Sequence, residues 1–180
     1  MLKIKIHNMV ITLQFSDGKI DLGKLASKLP NSAEYFPDNF PGVVYRMKKP
    51  KASFLIFSTG KSTCTGTSSM KDAKEAIDNM LKLLKGIGVN VKTPKIVIQN
   101  IVASTRLDTK FDIDKMAFAL QNSEYEPETF PGLVYKMEGS VTFLIFSTGK
   151  IVCVGAKSAK NIEESFVRLI KKLKEIKALK

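Results

Sequence analysis

The sequence predicts an α+β fold made of two copies of one β-α-β-β-β-β-α plan, and three observations carry that reading. Phe54-Leu55-Ile56-Phe57-Ser58-Thr59-Gly60-Lys61 recurs letter for letter from Phe143 to Lys150. Phe40-Pro41-Gly42-Val43-Val44-Tyr45-Arg46-Met47 matches Phe130-Pro131-Gly132-Leu133-Val134-Tyr135-Lys136-Met137 at six of eight positions. Cys64 and Gly66 likewise answer Cys153 and Gly155, and Asn8-Met9-Val10 answers Asn100-Ile101-Val102. Third, the offset between copies falls in single steps, from 92 at Asn8/Asn100 through 91 at Asp21/Asp112 and 90 at Phe40/Phe130 to 89 at Phe54/Phe143. Loops tolerate such length changes, whereas a slip inside a strand turns its side chains to the opposite face. The matched blocks are therefore the structural elements, and the copies divide as residues 1–91 and 92–180.

Each element has its own local warrant. Residues 3–14 alternate and are rich in Ile, Val and Thr, which predicts a strand. Asp21 caps a short helix that places Leu22, Leu25, Ala26 and Leu29 on one face; in the second copy Asp112 leads Ile113, Met116, Ala117 and Leu120. Short strands follow at about 33–36, 42–48, 52–58 and 61–67, broken at Pro37, Pro50 and Gly60. A longer helix from Ser69 carries Ala73, Ile77, Met80, Leu81 and Leu84 as its apolar stripe, answered by Ile162, Phe166, Leu169, Ile170 and Leu173. Gly86 and Gly88 end the first of these helices, and Lys92-Thr93-Pro94 links the copies.

Two helices per copy cover only one face of such a sheet. Yet Phe54 and Ile56 point one way in their strand while Leu55 and Phe57 point the other, and all four are apolar. Phe143–Phe146 behaves alike, and so do Ile151 and Cys153 against Val152 and Val154. The second apolar face is either the core of a sandwich or dimer, or a ligand surface. Three details favour a ligand. Asn8 and Asn100 stand within long apolar strands, where an unpaired amide is costly. Thr63 and Thr65 replace Val152 and Val154 in the first copy, and Lys61 and Lys150 flank these positions beside Ser-Thr-Gly turns.

Composition narrows the chemistry. The 180 residues include 29 Lys and Arg against 17 Asp and Glu, a formal charge of +12. That surplus fits either a polyanionic partner or a solubilising surface. Arg occurs only at 46, 106 and 168, so bidentate guanidinium contacts to guanine are scarce. No apolar run is long enough for a membrane helix, the first residues lack a signal-peptide core, and an intracellular protein with no membrane partner is the expectation. Cys64, Cys153 and His7 are the only thiols and imidazole, too few for a zinc or iron–sulfur cluster. No phosphate-binding glycine motif is present, so no cofactor, metal or catalytic residue is expected. By the same alternation both thiols face the helices as small buried hydrophobes, without a disulfide between them.

The duplicated Asn-x-Val strand, the Phe-Pro-Gly-x-x-Tyr-[Arg/Lys]-Met block and Leu-Ile-Phe-Ser-Thr-Gly-Lys together resemble the TATA-box-binding protein family of transcription initiation factors, over essentially the whole chain. The resemblance implies a saddle: a curved antiparallel sheet of about ten strands, helices on its convex face, its underside in the minor groove of an A·T-rich box. It assigns the kinking wedges to Phe40 and Phe57 in one copy and Phe130 and Phe146 in the other. This family is a standard example of proteins that unstack base steps, at a cost of about a few kcal/mol per step, to bury apolar side chains against bent DNA.

It further implies that Asn8 and Asn100 donate to A N3 and T O2, with Val10 and Val102 crowding the amino group of guanine. Leu55, Leu144, Thr63, Thr65, Val152 and Val154 would form the rest of the floor. Arg46, Lys136, Lys61, Lys150, Thr59 and Thr148 would contact phosphates, which supply affinity and salt dependence. Eukaryotic members usually carry threonine at the position of Val154, arginine at that of Lys136 and valine at that of Thr63, so symmetric base contacts are in doubt at Val154.

Partners follow from the same resemblance. Glu126 and Glu128 lie in Tyr125-Glu126-Pro127-Glu128-Thr129-Phe130, which matches the loop that binds transcription factor B and, through it, RNA polymerase. Tyr35-Phe36-Pro37-Asp38-Asn39-Phe40 carries a single acid, which would distinguish the two ends; an ordinary solvated loop is the alternative. The resemblance is to the archaeal form, a monomer on DNA in the cytoplasm and nucleoid, with pairing of free copies left open. The lysine-rich helix from Lys160 to Lys180 reads as a solvated convex face, with attraction of further DNA or RNA as the alternative. A non-promoter nucleic-acid or protein-binding module on the same fold is the remaining alternative.

Overall fold

The computed structural model describes residues 2–30, 33–139 and 141–179. Met1 and Lys180, the outer ends of the two expected copies, lie outside the described residues. Each copy follows the expected plan. The first contains β1 (Lys5–Gln14), α1 (Leu22–Lys28), β2 (Ala33–Glu34), β3 (Gly42–Met47), β4 (Ala52–Phe57), β5 (Lys61–Thr67) and α2 (Met70–Gly86). The second contains β6 (Val97–Arg106), α3 (Ile113–Ala119), β7 (Ser123–Glu124), β8 (Leu133–Met137), β9 (Val141–Ile145), β10 (Lys150–Ala156) and α4 (Ala159–Glu175). Two compact units result, Asn8–Gln99 and Met1–His7 with Asn100–Lys180.

Strands run in the order β2-β3-β4-β5-β1 in one unit and β6-β10-β9-β8-β7 in the other, with antiparallel neighbours in matching register. The offset steps fall outside the strands, as between Met47 and Ala52 against Met137 and Val141. The shorter α3–β7 turn passes through Asn122 at φ 61, a left-handed conformation that asparagine tolerates better than most residues.

Asp21 and Asp112 cap α1 and α3 as the sequence predicts, and Ser69 and Ser158 cap α2 and α4. Asp21, Ser69, Asp112 and Ser158 accept the backbone N–H of Lys24, Asp72, Lys115 and Asn161 at 3.0, 3.0, 3.2 and 3.0 Å. The Lys115 backbone N–H, reinforced by the Lys115 side chain, holds the Asp112 carboxyl below its ordinary pKa.

Burial alternates along every long strand and assigns its two faces. Phe54, Ile56 and Cys64 are buried on one face, and Phe143, Ile145, Ile151 and Cys153 in the other unit. These residues pack toward the helices: the rings of Phe143 in β9 and Phe166 in α4 lie 5.3 Å apart in an edge contact. In α2 the buried stripe is Ala73, Ala76, Ile77, Met80 and Leu84. Leu81 is only half-buried, so Ala76 takes the core place expected of it; Ile170 is half-buried in α4, where Ser165 is buried. β1 starts at Lys5 rather than residue 3, and β2 ends at Glu34, two residues short of the expected end, because only Ala33 and Glu34 pair with β3.

Cys64 and Cys153 are unpaired and buried, and burial pushes both thiols up to about 11. The folded state therefore keeps a proton that the unfolded chain loses above the ordinary thiol pKa of about 8.5. Stability from this source is complete below that pH and is lost as pH rises toward 11. Denaturant midpoints measured across this window should fall more steeply for the wild type than for Cys64→Ala/Cys153→Ala. At pH 8 a thiol reagent should label neither cysteine until the chain unfolds.

Candidate nucleic-acid interface

The face away from the helices is built in rows that run across each unit. One row is Val44, Leu55, Thr63 and Thr12, set by the pairs Val44↔Leu55, Leu55↔Thr63 and Thr12↔Thr63. Its counterpart is Val134, Leu144, Val152 and Ser104. All eight side chains are half-buried, on the face opposite the buried residues of the same strands. Valine, leucine and threonine side by side make a flat floor with few charges.

Asn8 and Asn100 stand at the end of this floor nearest an irregularity in the ladder. Between Met9 and Ile11, strand β5 carries one residue more than β1, and β10 carries one more than β6 between Ile101 and Ala103. These are β-bulges, and each contains a glycine at positive φ, Gly66 at 89° and Gly155 at 97°. The bulge releases the glycine N–H from the ladder and turns it onto the asparagine. Gly66 N–H donates to Asn8 Oδ1 at 2.8 Å, and Gly155 N–H donates to Asn100 Oδ1 at 2.7 Å. Because a backbone N–H can only donate, the bonded atom must be the amide oxygen, which fixes the orientation of each amide. The amide NH2 groups are thereby left as donors on a half-exposed apolar surface. Half-burial and this bond resolve the cost expected of an unpaired amide.

The predicted wedges also come together. Phe40 and Phe57 have ring centroids 5.8 Å apart, as do Phe130 and Phe146, and all four rings are half-exposed. Glycine in the Phe-Pro-Gly motif makes room for each pair. A Cβ on Gly42 would lie 2.9 Å from Phe40 Cε1, and one on Gly132 would lie 2.8 Å from Phe130 and 3.0 Å from Phe146.

Comparison with known proteins decides what this arrangement belongs to. A sequence model of the family "Transcription factor TFIID (or TATA-binding protein, TBP)" matches residues 3–87 and 95–176. A TATA-box-binding protein of Pyrobaculum calidifontis is 46% identical over 177 residues, covering 97% of this chain and 88% of the relative. That of Archaeoglobus fulgidus is 42% identical over 178 residues, covering 97% and 96%. The solved structure of Methanococcus jannaschii TBP superposes with a TM-score of 0.90 at 40% identity, over 96% of this chain and 99% of that one. The chain belongs to the TATA-box-binding protein family.

Within that family frame, the basic residues fall into two groups. Arg46 Nη1 pairs with Glu34 Oε1 at 2.6 Å, and Lys136 Nζ with Glu124 Oε1 at 2.9 Å. Each cation sits across the ladder from an acid on the edge strand. Exposed pairs of this kind contribute up to about 1 kcal/mol, little enough to be exchanged for a phosphate. Lys61 and Lys150 are exposed and make no ion pair among the described residues. The exposed Thr59 and Thr148 lie in the turns before them; Thr59 Oγ1 accepts the Lys61 N–H at 3.4 Å. Val10 and Val102 follow the asparagines by two residues and share their half-buried face.

Thr65 and Val154 differ in more than polarity. Thr65 Oγ1 donates to Asn8 Oδ1 at 3.2 Å, a bond valine cannot make. Glu126 and Glu128 are exposed on the turn that presents Phe130: the N–H groups of Thr129 and Phe130 both donate to the Glu126 carbonyl, at 3.0 and 2.9 Å. In the first copy the Phe36 carbonyl plays that part for Asn39 and Phe40, and the Phe36 ring is 62% exposed.

Several residues of the same face were not singled out by sequence, namely Val44, Val134, Thr12, Ser104 and Arg106. Their signal was available, since each shares strand parity with a residue already chosen. Glu34 and Glu124 had no local signal, because their role appears only through pairing with the next strand. His7 Nε2 shares a hydrogen bond with Ser104 Oγ at 2.7 Å, with no carboxylate bonded to the ring among the described residues. No group of three His, Cys, Asp or Glu that could hold a metal occurs among the described residues.

Substituting Gly132 with Ala should push the Phe130 and Phe146 rings apart at an overpacking cost of about 1–3 kcal/mol. Thermal unfolding should show the loss, and aromatic proton shifts should move for these rings while those of Phe143 and Phe166 stay in place.

Proposed function

We propose that this chain is an initiation factor that binds an A·T-rich promoter box through the minor groove and kinks it. The observation that carries the reading is the pair of asparagine amides, each locked by a bulge glycine with its NH2 outward on an uncovered apolar floor. The minor groove of A·T pairs offers only acceptors, A N3 and T O2, whereas G·C adds the guanine N2 donor. Two fixed donors therefore suit A·T and clash with guanine, and cannot distinguish A·T from T·A. Val10 and Val102 beside them add steric opposition to the guanine amino group.

Kinking follows from the phenylalanine pairs. Four half-exposed rings are costly to leave in water and gain by entering between base pairs. Flexible pyrimidine–purine steps open most cheaply, so deformability selects sequence where no base edge is read. Arg46, Lys136, Lys61 and Lys150, with Thr59 and Thr148, contact phosphates; for Arg46 and Lys136, phosphate displaces the neighbouring glutamate. The remaining floor, Leu55, Leu144, Thr63, Thr65, Val152 and Val154, fills the widened groove.

The family names of the relatives, TATA-box-binding protein, support the same target. Glu126 and Glu128, on the turn that holds Phe130, are the site for transcription factor B, which brings RNA polymerase to the promoter. Work in the cytoplasm and nucleoid of an archaeal cell, as a monomer on DNA, goes with that role.

Fluorescence anisotropy with a labelled TATA-type duplex and a G·C-rich control tests the reading across a salt series. Wild type should prefer the A·T duplex strongly, and Phe130→Ala/Phe146→Ala should lose the preference while keeping weak, salt-sensitive binding. Lys61→Ala should lower the salt slope by about 0.9 without changing the preference. Equal binding of both duplexes by wild type would leave the lysines as the only determinant and overturn the assignment.

A further inference from the structure

The two asparagines are not held alike. Both amide oxygens accept a bulge glycine N–H, at 2.8 Å for Asn8 and 2.7 Å for Asn100. Among the described residues only Asn8 receives a second donor, the Thr65 hydroxyl at 3.2 Å, because the residue before the second bulge glycine is Val154. An amide oxygen has two acceptor sites. Those of Asn8 are both filled from within the protein, whereas one on Asn100 stays open.

That difference has a chemical consequence at the groove floor. The terminal torsion of asparagine is soft, so a second donor narrows the range of amide orientations. Guanine presents an N2–H donor in the minor groove. An amide held by the glycine bond alone keeps its NH2 outward but can tilt about that bond far enough to share its open acceptor site with that donor, which relieves part of the mismatch. An amide with both sites filled leaves the guanine amino group unpaired.

We infer that Thr65 is a specificity-determining positioning residue: by saturating the Asn8 carbonyl it makes the Asn8 end of the site reject G·C more strictly than the Asn100 end. The inference rests on the proposed minor-groove reading. It gives a duplicated face two unequal ends through one hydroxyl, independently of any protein partner.

The test uses the full chain and an A·T-rich duplex in which each base pair is replaced singly by G·C or by inosine·C, which lacks the N2 amino group. Asn8→Ala and Asn100→Ala first mark the steps each asparagine reads, as those where the G·C penalty shrinks. In wild type the penalty should be roughly two- to tenfold larger at the Asn8 steps, the worth of one neutral hydrogen bond. Inosine·C should abolish the difference. Thr65→Val should lower the Asn8 penalty to the Asn100 level, Thr65→Ser should retain it, and Val154→Thr should raise the Asn100 penalty. In the Asn8→Ala background, Thr65→Val should have no further effect, the signature of a residue acting through another.

Equal penalties at both ends in wild type would overturn the inference while leaving A·T selectivity intact. So would identical behaviour of Thr65→Val and Thr65→Ser, or a Thr65→Val effect that persists without Asn8, which would place the hydroxyl on the bases themselves. No preference for A·T at any step would remove the proposed function and this inference together. Unchanged thermal unfolding of the threonine variants confirms that only recognition was altered.

Discussion

In each unit the described helices lie on one face of the strands and leave the other without a layer of its own. Strand side chains alternate, so every strand contributes half its residues to a covered core and half to a surface that must find other company. Phe54, Ile56 and Cys64 are buried on the covered side, while Leu55, Phe57 and Thr63 are half-exposed on the other. Stability comes from the covered side. Burying a side chain such as Phe166 contributes about 1.5–3 kcal/mol, and only part of that is available to the half-buried Phe57 and Phe146 in the free chain. Separating the two faces leaves the uncovered one free to be shaped for a ligand without endangering the fold.

The bulges join these two requirements. A regular ladder would use the N–H of Gly66 or Gly155 for strand pairing. The extra residue in β5 and β10 withdraws it, and positive φ turns it toward the asparagine. A local irregularity of the sheet thus becomes the device that orients a recognition group. The Phe-Pro-Gly turns work similarly. The chain needs a residue without Cβ at the start of β3 and just before β8, because the paired rings already occupy that space.

Much of this was legible in the sequence, for reasons that differ by feature. The repeat exposed element boundaries to within a residue or two, since matched blocks and single-residue offset steps separate strands from loops. Alternation identified the apolar floor, and apolar context singled out Asn8 and Asn100. What was not legible depends on register. The glycine N–H on each asparagine, the Arg46–Glu34 pair and the Thr65 hydroxyl on Asn8 all join residues on different strands. Their spacing along the chain carries no trace of contact until the bulge and the pairing are known. Ala76 was overlooked for a simpler reason: a small residue adds little to an apolar stripe, yet it is fully buried in α2.

The two copies have diverged differently on their two faces, and that contrast bears on what shaped each. In the covered core, changes conserve packing by exchanging partners. Phe54 packs against Phe15 in the first copy, where the second has Leu107; Phe143 packs instead against Phe166, where the first has Ile77. An aromatic partner lost from one element is supplied by another, as dense packing demands. On the uncovered face, changes conserve shape and alter hydrogen bonding. Thr63 and Thr65 answer Val152 and Val154, residues of nearly the same outline that differ by a hydroxyl. A core has no use for a change of that kind, because an added hydroxyl there only needs a partner. It suits a floor fitted to a groove of constant outline, in which the two ends must meet the same shape while reading it with different donors and acceptors.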